Sequence, residues 1–94
     1  MSAERLKPLG PPRRHYWLLK RMARATGTDL VRARHAGSLD GPDWAEMVQR
    51  CRGCGWAGGC ARWLRAEPHR EVPPHGCANR ARLARLKIDQ VMDR

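Results

Sequence analysis

The four cysteines of this chain follow one another with the spacing Cys-x2-Cys-x5-Cys-x16-Cys, as Cys51, Cys54, Cys60 and Cys77. Thiolates are soft ligands, and four of them complete a shell around Zn²⁺ or hold an iron–sulfur cluster. Clustered cysteines in a reducing compartment favour metal ligation over disulfides, although two structural disulfides are the alternative. We therefore predict that these four side chains bind one inorganic centre.

The spacing also bears on which centre is bound. Structural zinc domains usually carry two Cys-x2–4-Cys pairs, whereas this sequence has one such pair. A compact triplet with a remote fourth cysteine is typical of clusters, which are wider than one ion and need sulfurs from several directions. The pattern favours a [4Fe-4S] cluster, with Zn²⁺ as the alternative. A three-cysteine site completed by His75 is a further alternative.

Seven residues near the cysteines are expected to support the centre. Trp56 and Trp63 are predicted to shield it from water, although ordinary core packing explains Trp63 equally well. Asn79 is predicted to cap the last helix and so to fix the direction in which Cys77 enters the site. Flanking cations are expected to offset the negative charge of a four-thiolate site; they are Arg50, Arg52, Arg62 and Arg65.

The elements that position these residues are predicted to be helical throughout. Apolar residues recur at helical spacing, and no segment alternates as a strand does, so we expect an all-α fold of four or five short helices. Residues 1–10 are expected to be a flexible segment and residues 11–94 a single domain. The predicted helices run from Pro11–Pro12 to Gly27, from a Thr28 cap through Arg34, from Asp40 to Gly53, from Gly59 to Ala66, and from Asn79 to about Met92.

Apolar residues on these helices are expected to face the core. Leu30, Val31 and Ala33 are the predicted buried side of the second helix. Leu83, Leu86, Ile88 and Val91 are the predicted buried side of the last one. In the third helix the spacing of Trp44, Met47, Val48 and Cys51 places the first cysteine on the apolar side. The metal site is therefore expected to adjoin the hydrophobic core.

The chain is strongly basic, with 19 Lys and Arg against 9 Asp and Glu and a formal net charge of +10. Such an excess attracts polyanions, and nucleic acid or an acidic protein is the expected partner. The candidate surface is one side of the first helix. A merely solvated face is the alternative. The candidate polyanion-binding residues are Arg13, Arg14, Lys20, Arg21 and Arg24.

Several classes of protein find no support in the sequence. No apolar run of about 18 residues is present to span a bilayer, and the first ten residues lack the apolar stretch of a secretory signal. We therefore expect a cytoplasmic protein without a membrane partner. The sequence also lacks a P-loop, an HExxH motif and a recognisable nucleophile–base pair. We expect no catalytic residues, no enzymatic activity and no small-molecule substrate.

Two resemblances to known families bear on these predictions. The segment Cys51-Arg52-Gly53-Cys54 with Cys60 resembles the cysteine triplet of the WhiB-like iron–sulfur regulators, which implies a shared way of holding a cluster. In that family the fourth cysteine precedes the triplet, whereas here it follows as Cys77.

A longer succession is similar to a family of short bacterial four-cysteine proteins of unknown function. This resemblance implies that the cysteines, Trp63-Leu64 and Asn79 form one unit, and it implies no activity. The similar segments are His15-Tyr16-Trp17-Leu18, Met22-Ala23-Arg24-Ala25-Thr26-Gly27, Gly37-Ser38-Leu39, Arg50-Cys51-Arg52-Gly53-Cys54, Cys60-Ala61-Arg62-Trp63-Leu64 and Cys77-Ala78-Asn79-Arg80.

Three functions fit this combination of features. The first is an iron–sulfur protein with a redox-sensing or regulatory role, in which loss or oxidation of the cluster changes binding to a partner. The second is a structural zinc module whose basic surface binds nucleic acid or protein. The third is a one-electron carrier.

Overall fold

The computed structural model describes residues 9–92, and within that range the chain forms five helices and no strand. The all-α prediction is therefore confirmed for this part of the chain. The helices are α1 (Pro12–Ala25), α2 (Leu30–His35), α3 (Gly41–Arg52), α4 (Ala57–Arg65) and α5 (Arg80–Met92).

Most helix boundaries follow from local chemistry. The helix α1 begins with a proline in its first turn, and the chain leaves it through Gly27 at a φ of +74°. Asp40 caps α3 by accepting a hydrogen bond of 2.8 Å from the Asp43 backbone N–H. The predicted cap Thr28 is wrong by one residue, because Asp29 accepts from the Arg32 N–H and so begins α2. The helix α4 begins two residues before its predicted start at Gly59.

The hydrophobic core is small and centres on α1, which packs against α3 and α4, while α2 packs against α5. A 94-residue chain buries only about two-thirds of its unfolded surface, so an additional cross-link would contribute appreciably to its stability. The buried apolar residues are Leu18, Leu19, Met22, Ala23, Ala33, Leu39, Met47, Cys60, Leu64, Leu83 and Leu86.

Three predicted core residues are exposed instead. Val31 is 68% exposed because the six-residue helix α2 turns only Ala33 fully into the core. Ile88 and Val91 are 56% and 49% exposed, since the buried residues of α5 are Leu83 and Leu86 in its first half. The apolar spacing correctly predicted the buried residues in the first two turns of α5. The same spacing continues into the second half of the helix, where the apolar side chains are exposed.

The start of the described chain is joined to the end of α3. The Gly10 N–H donates to the Arg52 carbonyl at 2.9 Å, and the Arg52 Nε donates to the Gly10 carbonyl at 2.8 Å. Apart from Leu9 and Gly10, the predicted flexible segment of residues 1–10 lies outside the described residues. Within residues 9–92, no helix combines the length and apolar character needed to cross a membrane.

Candidate metal centre

The four cysteines lie around one cavity. Cys51 is in the last turn of α3, Cys54 follows in the turn after it, Cys60 is buried on α4, and Cys77 shortly precedes α5. All four are free thiols, and all four line a cavity of about 20 Å³. We refer to it as the cysteine cavity; its other lining residues are Leu18, Leu19, Met22, Ala57, Ala78 and Asn79.

Backbone N–H groups act on two of the sulfurs. The Trp56 N–H donates to the Cys54 Sγ at 3.4 Å, and the Asn79 N–H lowers the pKa of Cys77. Each donor lies two residues after its cysteine, so the local chain folds back over the sulfur. Hydrogen bonds from N–H groups favour the charged thiolate, which is the form that binds metal. These two turns therefore suit cysteines that act as ligands.

The surroundings of the cysteines disfavour ionised thiols. Burial, followed by the repulsion of the other cysteines, raises the pKa of Cys51 to about 12 and that of Cys60 to about 11. Burial also raises the pKa of Cys77, although the Asn79 N–H opposes that rise. A bound metal cation would offset both the cost of burying the thiolates and the repulsion between them, because it replaces their lost solvation and neutralises their charge.

The cations that act on the sulfurs differ from the predicted ones. Arg21 and Arg14 on α1 lower the pKa of Cys60, and Arg80 lowers that of Cys77. The predicted Arg50 instead forms an ion pair of 3.6 Å with Glu46. Arg14 and Arg21 are seven residues apart and therefore lie on one side of α1. This spacing is the feature of the sequence from which their shared position could have been predicted.

His15 is buried beside the cysteine cavity, and it is not among the residues predicted for the site. It is 3% exposed, and its Nδ1 lies 3.7 Å from the Cys51 Sγ, whose thiol also donates to the His15 carbonyl at 3.4 Å. Burial and the nearby Arg14 lower the pKa of His15, which keeps its ring neutral. The burial of His15 could have been predicted from its spacing, because positions 15, 18, 19 and 22 share the buried face of α1.

Asn79 lines the cavity but does not cap α5 as predicted. Its side chain is 2% exposed, and its Nδ2 donates to the Met47 carbonyl of α3 at 2.8 Å. The Oδ1 atom has no hydrogen-bond partner within the described residues, so it caps no backbone N–H. Asn79 thus joins the start of α5 to α3 and leaves a buried acceptor beside the cavity. A buried acceptor without a partner is costly, and only a hydrogen-bond donor would relieve it, which the cysteine thiolates do not supply.

Trp56 covers the turns that carry the cysteines. Its indole packs directly on Gly59 at the start of α4 and on Gly76 beside Cys77, where a Cβ atom at either glycine would overlap the ring. Both glycines are therefore needed for close packing. By holding the α4 segment against the loop before α5, Trp56 keeps Cys60 and Cys77 near each other.

Replacing Gly59 with alanine is expected to destabilise the fold. The new Cβ overlaps Trp56 Nε1 and forces the indole from its place, at a cost of about 2 kcal/mol. Gly58→Ala is the matched control, because only the Arg62 guanidinium lies near its added Cβ, at 3.7 Å. That variant should gain up to about 1 kcal/mol from helix propensity. Urea unfolding of both variants measures the difference, and equal midpoints would show that Trp56 is not held there.

The other predicted supporting residues lie away from the cavity. The Arg52 guanidinium is occupied by the Gly10 carbonyl and by Gln49 Oε1, each at 2.8 Å. Trp63 is half-buried against the core and does not line the cavity. The five predicted polyanion-binding side chains are all exposed on α1. Within residues 9–92, no three His, Cys, Asp or Glu side chains form a group already arranged to hold a metal ion.

Comparison with protein families assigns the chain to one of them. A family model described as a family of unknown function, DUF6455, matches residues 6–89. The chain belongs to this family. The predicted resemblance to a family of unknown function is therefore confirmed, whereas nothing in the comparisons supports similarity to the WhiB-like regulators. Comparison with curated proteins and with solved structures gave no match.

Proposed function

We propose that this DUF6455 protein binds a [4Fe-4S] cluster through Cys51, Cys54, Cys60 and Cys77 and has a redox-sensing or regulatory role. The observation that carries the proposal is the convergence of four free thiols, from separate parts of the chain, on one cavity. The compact triplet and the remote Cys77 favour a cluster among the possible guests.

The surrounding residues suit such a guest. A cluster supplies reversible one-electron chemistry and sensitivity to oxidants. Leu18, Leu19 and Met22 form an apolar wall that excludes water from the cavity. The Trp56 and Asn79 amides orient two of the sulfurs, and Arg14 and Arg21 offset part of the negative charge of the ligands.

The position of α1 supports a regulatory role. One side of this helix forms a wall of the cysteine cavity, and its other side carries exposed cations. The same helix packs against α3 and α4, which carry Cys51 and Cys60. Loss of the centre would remove the contacts that fix α1, and the exposed face would change with it. We assign a binding role, with no catalytic step, and place the protein in the cytoplasm, where thiols stay reduced.

A structural zinc site is the second candidate, and the size of the cavity favours it. A volume of about 20 Å³ accommodates one water-sized particle. A single Zn²⁺ ion fits such a space with little movement, whereas a cluster is wider than one ion and requires a larger cavity. With zinc, the centre would stabilise the helices and the basic surface would carry the function.

Anaerobic purification and analysis of the bound metal distinguish the two candidates. A brown protein with about four iron and four sulfide per chain supports the cluster. A colourless protein with one zinc per chain replaces the cluster with the second candidate. Cys77→Ser should lose either centre, whereas Ala81→Ser on the exposed side of α5 should retain it. Wild-type protein that takes up neither metal, even after reconstitution with iron and sulfide or with zinc, contradicts both.

A further inference from the structure

The exposed side of α1 combines positive charge with an exposed aromatic ring. At about 100° of rotation per residue, six side chains of this helix fall within an arc of about 120°. Trp17 lies near the middle of the arc and is 53% exposed. We call this surface the cationic face; its residues are Arg13, Arg14, Trp17, Lys20, Arg21 and Arg24.

The charge of the cationic face is not balanced by acidic side chains. Within residues 9–92, the ion pairs join Arg50 to Glu46, Arg82 to Asp43, Arg85 to Asp89 and Lys87 to Glu71, and none involves α1. Of the other described acidic residues, Asp29 and Asp40 cap helices. Glu67 neither caps a helix nor forms an ion pair within residues 9–92. Within residues 9–92 the cations of α1 thus have no acidic partner, and the one hydrogen bond that engages them there runs from the Arg21 Nη2 to the Leu64 carbonyl at 3.3 Å, which leaves their charge to act on an external anion.

The cationic face continues into an open groove. One part of the groove, of about 420 Å³, lies between Arg21, Arg24 and the segment 67–69. A second part of about 450 Å³ shares Arg24 and His69 with the first and extends to Arg70 and Lys87. Together they form a largely basic path that runs from α1 past the loop after α4. Glu67 also lines this path, and Glu71 pairs there with Lys87 at 2.8 Å.

Trp17 is placed to stack on a planar ligand. The edge of the Tyr16 ring meets it at a centroid distance of 5.6 Å, and the Lys20 ammonium lies 5.0 Å from the ring centre. These neighbours hold the indole in place while more than half of the side chain stays in solvent. An exposed, positioned aromatic ring beside a basic path is the arrangement with which proteins bind single-stranded nucleic acid.

We propose that the cationic face and its groove bind single-stranded nucleic acid, with phosphates on the cations and one base stacked on Trp17. An acidic peptide would use the charge but carries no planar base to stack on Trp17, and a flat membrane surface would not enter the groove. This inference rests on the outer side of α1 rather than on the sulfurs, although Arg14 and Arg21 act on both.

The test is binding of a fluorescent oligo(dT) of about 12 nucleotides to the protein with its centre in place. Trp17→Ala should weaken binding by about 5- to 150-fold, as expected for the loss of one stacked base. Trp17→Phe should retain most of the affinity, whereas Trp17→Leu should resemble alanine. Circular dichroism of each variant establishes that α1 is intact.

The charged residues are tested separately by the salt dependence of binding. Arg13→Glu and Arg24→Glu should each weaken binding and make its dependence on salt less steep. Arg34→Glu on α2, which changes the net charge equally at another exposed position, should have the smaller effect. Three results would overturn the proposal: no binding of oligo(dT), equal affinity for polyglutamate with no effect of Trp17→Ala, or stronger binding to anionic vesicles.

Discussion

Removing the centre from the loaded protein is expected to abolish most of its cooperative unfolding transition. Binding of a structural metal by cysteine-rich domains supplies about 10–16 kcal/mol, which equals or exceeds the total stability of about 5–15 kcal/mol of ordinary domains. Within residues 9–92 the core has eleven buried apolar residues, and α1, α3 and α4 meet at the cysteine cavity. Thermal melts followed by circular dichroism, before and after anaerobic chelation, measure the change.

Cys60→Ala supplies the control for this experiment. Cys60 is buried, and alanine removes its sulfur without leaving a polar group in the core. The variant should lose the centre and melt like the chelated wild type. Chelation should change the melting curve of the variant little, because the variant has no centre to lose. Loaded and chelated proteins with the same melting temperature would contradict a stabilising role for the cysteines.

The sequence predicted the features that depend on neighbouring residues. Helix ends at Gly27 and Asp40 follow from backbone conformation and capping, which act within a few residues. The position of Cys51 on the apolar side of α3 follows from helical spacing. The sharing of one cavity by the cysteines was predicted from ligand chemistry rather than from packing, because thiols at these intervals suit a common guest.

The features that the sequence did not predict depend on contacts between distant segments. The cations that act on Cys60 come from α1, some forty residues earlier, and not from the flanking arginines. The approach of Trp56 to Gly76 is visible only when the loop before α5 closes on α4. Asn79 was placed at the correct helix start, but its bond to Met47 depends on how α5 meets α3. Periodicity carries no information about such pairings.

Metal affinity is expected to rise steeply with pH. In the metal-free protein the pKa values of Cys51 and Cys60, about 12 and 11, keep both thiols protonated at neutral pH. A bound ion must displace these two protons, and each displaced proton changes the apparent affinity tenfold per pH unit. The affinity for Zn²⁺, used here as a probe with measurable equilibrium, should therefore increase by at least about 100-fold per unit between pH 6 and 8.

A competition titration against a zinc chelator of known affinity measures the affinity for Zn²⁺ at each pH. An indicator dye counts the protons that are released on binding. Cys51→Ala and Cys60→Ala should each release one proton fewer, which assigns the protons to named thiols. An affinity that does not change with pH, after correction for the chelator, would mean that the thiols are already ionised or do not bind.

The stability of the metal-free chain is expected to change with pH in the opposite direction. The folded pKa values of Cys51 and Cys60 lie above their ordinary value of 9.0, so the folded state retains protons that the unfolded state loses. This contribution is fully present below pH 9 and is lost as pH rises from 9 towards 12. The urea midpoint of any folded metal-free protein should therefore fall over that interval. The corresponding midpoint of Cys51→Ala should fall less, because one of the two titrating thiols is then absent.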